Sequence, residues 1–208
     1  VYYCLDALHG ERRDRSILFW KSLPVSDLTT VLVKASVPIV IIPLLTFAIT
    51  FATQAFMLLL STAVLLGNGL SAATLWTRLP FFQMSLVLLY HLVAVHGLYY
   101  APVYSWLLLV SAWARRAAFL WAALPPLVIY AIEKLVFNSS HFAAMLGARL
   151  SGGAGAVSFP MRTGIPSHPL THLTLLDFLL SPGLWIGLLV AAAFIAAAVR
   201  LRRYREPI

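Results

Sequence analysis

Between Ala35 and Thr77 the chain carries no charged residue, and between Leu79 and Ala114 it again carries none. A helix needs about 20 apolar residues to cross roughly 30 Å of hydrocarbon, so each run is longer than a crossing requires. Ala117–Ile132 and Phe178–Val199 are two further charge-free runs. The sequence predicts crossings near 36–66, 81–110, 117–137 and 182–200. The fold class expected is an all-α polytopic membrane protein: one helical bundle over 1–208, with a cytoplasmic amphipathic helix.

The chain begins at Val1, inside the apolar stretch Val-Tyr-Tyr-Cys-Leu, with no basic segment before it. That is unlike a signal peptide. Residues 1–8 read as the end of an earlier crossing, and the chain as a piece whose first part lies outside this sequence. Of the 208 residues, 61% are hydrophobic and 11% charged, against about 45–50% and 25% in soluble domains. A soluble enzyme and a disordered tail are excluded on that ground. The single cysteine, Cys4, excludes an internal disulfide framework.

The net charge of +8 invites a nucleic-acid reading, but the distribution opposes it. If loop 9–35, loop 111–118 and tail 200–208 share one side, they hold Arg12, Arg13, Arg15, Lys21, Lys34, Arg115, Arg116, Arg200, Arg202, Arg203 and Arg205, eleven of the fifteen basic residues. By the positive-inside rule that side is the cytoplasm. Part of the basic excess suits anionic lipid headgroups. DNA binding needs a basic face on a soluble module. The expected location is an integral, multi-pass membrane protein, with 9–35 and the C-terminus cytoplasmic.

Local signals refine these limits. Ser26 or Asp27 caps a helix that continues through Lys34 into the membrane, and Ser181-Pro182 reads as a cap followed by proline in the first turn. Gly67-Asn68-Gly69 ends the first full crossing. Pro125-Pro126 should kink or break the third, and the backbone groups freed there need another partner. Residues 138–181, rich in glycine and proline, read as an outer loop with one or two short helices. Gly183-x-x-x-Gly187 and Ala191–Ala198 offer small faces for packing within the bundle or with a second copy.

The stretch from Glu11 to Asp27 is charged first, then amphipathic, then broken at Pro24. On a helix Ile17, Trp20 and Leu23 fall near one face, with Arg13 and Lys21 elsewhere. Two roles fit. One is an interfacial anchor with Trp20 among the headgroups. The other is a docking helix for a cytoplasmic partner, since aromatic and basic residues suit protein interfaces equally well.

Glu11-Arg12, then Ser16-Ile17-Leu18, then Lys21-Ser22-Leu23-Pro24-Val25-Ser26, then Lys34, form a pattern that resembles the ABC-2 type transporter permeases. Asp14 to Asp27 is similar to a bacterial subgroup of that family. Ala101-Pro102-Val103-Tyr104 through Arg116, and Phe119-Leu120-Trp121 through Pro126, match as well. Together these stretches cover about a quarter of the chain. The commoner family form has Gly-Thr where this chain has Arg15-Ser16. The resemblance implies a six-crossing subunit of an exporter that acts as a homo- or heterodimer of permeases with two ATPase subunits. Arg12, Arg13, Arg15, Ile17, Phe19, Trp20, Lys21 and Leu23 would then dock on the ATPase. ATP and magnesium would belong to that partner, and this chain would be no enzyme and would hold no cofactor or metal.

No Gly-x-x-x-x-Gly-Lys-Ser/Thr loop occurs here. Leu150-Ser151-Gly152-Gly153-Ala154 looks like the ATPase signature but ends in alanine with no phosphate loop near it, so it reads as a glycine-rich turn. Asn138-Ser139-Ser140 matches a glycosylation acceptor that is frequent by chance, and no Gly-x-Ser-x-Gly elbow surrounds any serine. His91 and His96, five apart, fall about 140° apart on an α-helix, so an α-helical face cannot present both. His168 and His172 are four apart, with His168 just outside a helix starting at Pro169. Ionisable groups inside a crossing are functional candidates. The alternative function is therefore a polytopic membrane enzyme acting on lipid, with His91, His96, His168 or His172 as acid and base.

Overall fold

The structure is a computed structural model of the 208-residue chain and describes residues 1–78, 81–151 and 175–204. Among these there are helices and turns and no strand. The outward apolar surface of the chain needs no sheet to satisfy its backbone, because a helix bonds its own.

Three short helices open the chain: α1 (Tyr2–Asp6), α2 (His9–Arg13) and α3 (Ser16–Ser22). Then α4 (Asp27–Ser36), a π-helical turn Val37–Ile41 and α5 (Ile42–Gly67) run on without interruption. These 41 residues make a rod about 60 Å long. Its start is set by Ser26, whose Oγ accepts the Thr29 N–H at 3.0 Å. Its end is a Schellman turn: Leu70 N donates to Leu65 O at 2.9 Å and Gly69 N to Leu66 O at 3.0 Å, with Gly69 at φ +70°. Both limits agree with the local sequence signals, although the helix starts nine residues before the expected crossing at 36.

After α6 (Ala73–Arg78), the chain returns through α7 (Phe81–His91), a second π-helical segment Leu92–Tyr99 and α8 (Ala101–Trp113). Then come α9 (Ala118–Val136), α10 (His141–Leu150), α11 (Leu175–Leu180) and α12 (Pro182–Tyr204). The rod 27–67, the stretch 81–99, α9 and α12 are long and apolar enough to cross a membrane. Set against the expected crossings, the rod starts nine residues early, and the second stretch ends at Tyr99, eleven residues short of 110, with α8 following it. The helix α9 differs by one residue at each end, and α12 runs four residues further.

The core lies where α8 packs along α12. Leu8, Val31, Ala112 and Ala198 form one cluster, and Cys4, Leu5, Ala35, Leu107, Leu108 and Val110 another. The small residues of α12 are used within the chain: Ala191 and Ala198 are buried. In contrast, α9 buries no residue and α5 buries Pro43 alone among its described residues. Their apolar side chains point outward, as expected of helices whose solvent is hydrocarbon.

The expected kink at Pro125-Pro126 is not a break, since α9 runs through both prolines. Pro126 has no N–H to give the carbonyl four residues back, Ala122. Trp106 Nε1 on α8 supplies that bond at 3.2 Å. Pro43 likewise leaves the Ile39 carbonyl without its usual donor. There Gly97 packs against that oxygen, which an added Cβ would meet at 3.4 Å, so the second π segment lies in close contact with the first.

Candidate functional site

The charged residues of 9–35 do not form a uniform surface loop. Glu11 reaches between two cations on distant helices. Lys34 Nζ lies 2.9 Å from its Oε1, and Arg202 bonds its Oε2. Arg202 also holds Asp27 Oδ1 at 3.0 Å through Nε. The side chains of Arg202 and Glu11 are 3% and 10% exposed. A buried charge is tolerated only when paired and hydrogen-bonded, and here two carboxylates meet two cations.

Two helix ends complete this junction. Arg12, also buried, donates through Nη1 to the carbonyls of Ala112 at 2.9 Å and Ala114 at 3.2 Å. Those are last-turn carbonyls of α8, which lack partners within the helix and carry the negative end of its dipole. Lys34 donates in the same way to Ala7 O, just past the end of α1. Ser111 Oγ donates to Leu5 O at 2.7 Å and accepts from Leu8 N at 3.0 Å and His9 N at 2.9 Å. The turn between α1 and α2 is therefore tied to α8, and α2 to α4 and α12. The segments 9–35, 111–116 and 200–204 meet at one end of the bundle.

Above this junction stands α3. Arg15, which precedes it, has φ +58°, a left-handed conformation that glycine adopts without strain. Ile17 is 1% exposed and roots the helix, while Leu18, Phe19 and Trp20 are exposed. The rings of Phe19 and Trp20 meet edge to face at 5.7 Å.

The eight residues expected to face a partner thus divide. Arg13, Arg15, Phe19, Trp20, Lys21 and Leu23 are at the surface. Arg12 and Ile17 are buried, Arg12 because it turns to the α8 carbonyls. Of Ile17, Trp20 and Leu23, Ile17 is buried, while Trp20 and Leu23 are exposed, as is Leu18. Sequence reasoning missed the pairing role of Glu11 with Lys34 and Arg202. The available signal was three charges bordering apolar runs, each needing a partner.

The histidines give a second polar cluster, in the second π segment. A π turn closes i to i+5 bonds, so residues five apart come onto one face. His91 and His96 accordingly meet, ring centroids 5.6 Å apart, and His96 lies 5.4 Å from the Tyr100 ring. This corrects the expectation of 140° separation, which assumed α winding. Tyr90 Oη and the Nδ1 atoms of both histidines are buried without a hydrogen-bond partner among the described residues. Among those residues no three potential metal ligands converge. His168 and His172, and most of the Leu150–Ala154 turn, lie outside the described residues.

Comparisons of this chain with protein-family models, with curated proteins and with solved structures return no match.

Proposed function

We propose that the chain is the membrane-spanning permease subunit of an ATP-driven exporter of the ABC-2 class, multi-pass in a bacterial inner membrane, with the 9–35 segment and C-terminus in the cytoplasm. The observation that carries this reading is the exposed helix α3 following directly on α2, whose Glu11 and Arg12 bind α4, α8 and α12. A push on Phe19 and Trp20 would pass to α2, which ends two residues before α3, and from Glu11 and Arg12 of α2 to α4, α8 and α12. In the mechanism, ATP binding closes two partner ATPase subunits, which carry the nucleotide and magnesium, and they displace α3. The junction transmits that displacement into the crossings and alters access to a path between two permease copies. The left-handed Arg15, at the position where the family commonly has glycine, supports the resemblance. So do the outward apolar faces of α5 and α9, which suit lipid or a second copy.

The test is purification of the full-length subunit from its native cell in mild detergent, with mass spectrometry of what accompanies it. A stoichiometric partner bearing a phosphate-binding loop is expected. A subunit without any ATPase, after crosslinking through 16–23, overturns the reading.

The contact of His91 with His96 favours a second reading, a membrane enzyme acting on lipid. It requires activity in the purified subunit without nucleotide, abolished in His91→Ala or His96→Ala.

A further inference from the structure

At the end of the bundle opposite the Glu11 junction, α8, α9, α10 and α12 enclose a groove of about 370 Å³, within the range of roughly 300–1,000 Å³ typical of small-molecule sites. Its walls are carbon, including Trp106, Pro125, Met145, Val190 and Phe194, and among the described residues the one charged side chain lining it is Arg149. We propose that this groove binds one anionic phospholipid of the bilayer, an acyl chain along the apolar wall and the phosphate on Arg149.

Three observations carry the assignment. First, Arg149 is seated deliberately. A Cβ on Gly187 would lie 2.7 Å from Arg149 Cζ, so the guanidinium occupies the space that glycine leaves on α12. It donates to Tyr99 O at 3.1 Å and to Gly183 O, and sits 4.4 Å over the Tyr99 ring. Second, its charge has no carboxylate partner within ion-pair distance among the described residues, whereas Arg202 at the other end has two. A guanidinium has five N–H donors, and two of them meet these carbonyls. The remainder, in apolar surroundings, match a phosphate, which arginine takes with two parallel bonds. Third, the depth is right. Gly183 and Arg202 are 19 residues apart on α12, about 29 Å along its axis. That is the thickness of a bilayer core, so Arg149 lies at one headgroup level when the Glu11 junction lies at the other.

The neighbouring helix is held for this purpose by a carboxylate. Glu133 accepts from Ser139 Oγ at 2.8 Å and from the first backbone N–H groups of α10, His141 at 2.6 Å and Phe142 at 2.9 Å. That bond set fixes the start of the helix that bears Arg149. The site does not depend on the permease reading and stands whichever function the chain performs.

The experiment is native mass spectrometry of the full chain, offered palmitoyl-oleoyl phosphatidylglycerol, the matching phosphatidylcholine, or inorganic phosphate. One phosphatidylglycerol is expected to remain bound, preferred over phosphatidylcholine by about tenfold, because the choline cation of the latter offsets the attraction of its phosphate to Arg149. Arg149→Gln should abolish the preference, and Arg149→Lys, which keeps the charge, should retain part of it. Val190→Trp, which fills the groove, should reduce retention of phosphatidylglycerol. Equal retention of the two lipids by the unsubstituted chain overturns the proposal, as does a preference that survives Arg149→Gln. Displacement of the lipid by inorganic phosphate also overturns it, in favour of a simple anion site.

Discussion

Glu11 and Lys34 form an ion pair at 2.9 Å with their side chains 10% and 18% exposed, and this contact joins the start of the chain to the first long rod. Because Arg202 takes the other oxygen of Glu11, a single carboxylate holds two cations from separate helices. Glu11→Ala takes that carboxylate from both, leaving Arg202 with Asp27 and Lys34 with the Ala7 carbonyl. Breaking a buried ion pair by removing one partner costs about 3–5 kcal/mol. A large fall in thermal midpoint in detergent is expected for Glu11→Ala, and a much smaller one for the triple change Glu11→Leu, Lys34→Met, Arg202→Met. Equal losses in the two proteins would show that packing, not charge pairing, holds the junction.

Arg15 sits at φ +58°. The left-handed region costs an L-residue roughly 1–2 kcal/mol, and glycine avoids that while losing some unfolded-state freedom. Arg15→Gly should therefore raise stability by about 0.5–1 kcal/mol. Arg15→Val, β-branched, should lower it by at least as much. Chemical denaturation of the three proteins reads the order Gly, Arg, Val; any other order refutes a left-handed turn before α3.

Trp106 donates to Ala122 O at 3.2 Å, the carbonyl released by Pro126. Trp106→Phe leaves that oxygen unpaired and should cost about 1–3 kcal/mol. In a Pro126→Ala background the backbone N–H returns and serves the same oxygen. The cost of Trp106→Phe should fall by about 1 kcal/mol there. A double-mutant cycle measures this, and a coupling of zero would mean the indole does not serve the proline.

The surface of α3 and the junction below it should separate in their effects. Phe19→Ala and Trp20→Ala change exposed residues and should shift stability by no more than about 0.5 kcal/mol. Co-purification of the ATPase should drop at least about tenfold, because aromatic anchors dominate interfaces. Arg12→Ala, by contrast, should lower the thermal midpoint of the isolated subunit. If Phe19→Ala and Trp20→Ala leave ATPase capture unchanged, α3 serves as a membrane anchor.

The crossings, the Ser26 cap and the Gly67-Asn68-Gly69 stop were legible because each depends on neighbours in sequence: a run of apolar side chains, a hydroxyl three residues from an N–H, a glycine free to take positive φ. The presence of an amphipathic helix between Arg15 and Pro24 was legible for the same reason. Its exposed face was not. Periodicity places Ile17, Trp20 and Leu23 together, but which side of a short helix turns inward is set by what it packs against, and Ile17 alone is buried.

By itself the sequence determined that this protein is helical and carries four helices able to span a bilayer, since hydropathy and backbone self-satisfaction act over a few turns of chain. Tertiary structure alone decided that Arg12 caps α8, that Glu11 meets Lys34 and Arg202, that Trp106 carries α9 through its prolines and that Gly187 admits Arg149. It also brought His91 against His96, by winding the backbone as a π-helix where α geometry would separate them. Each of these pairs a polar group with a partner from another helix or another winding. A buried charge or carbonyl demands such a partner but does not encode in its own neighbourhood which one it will find.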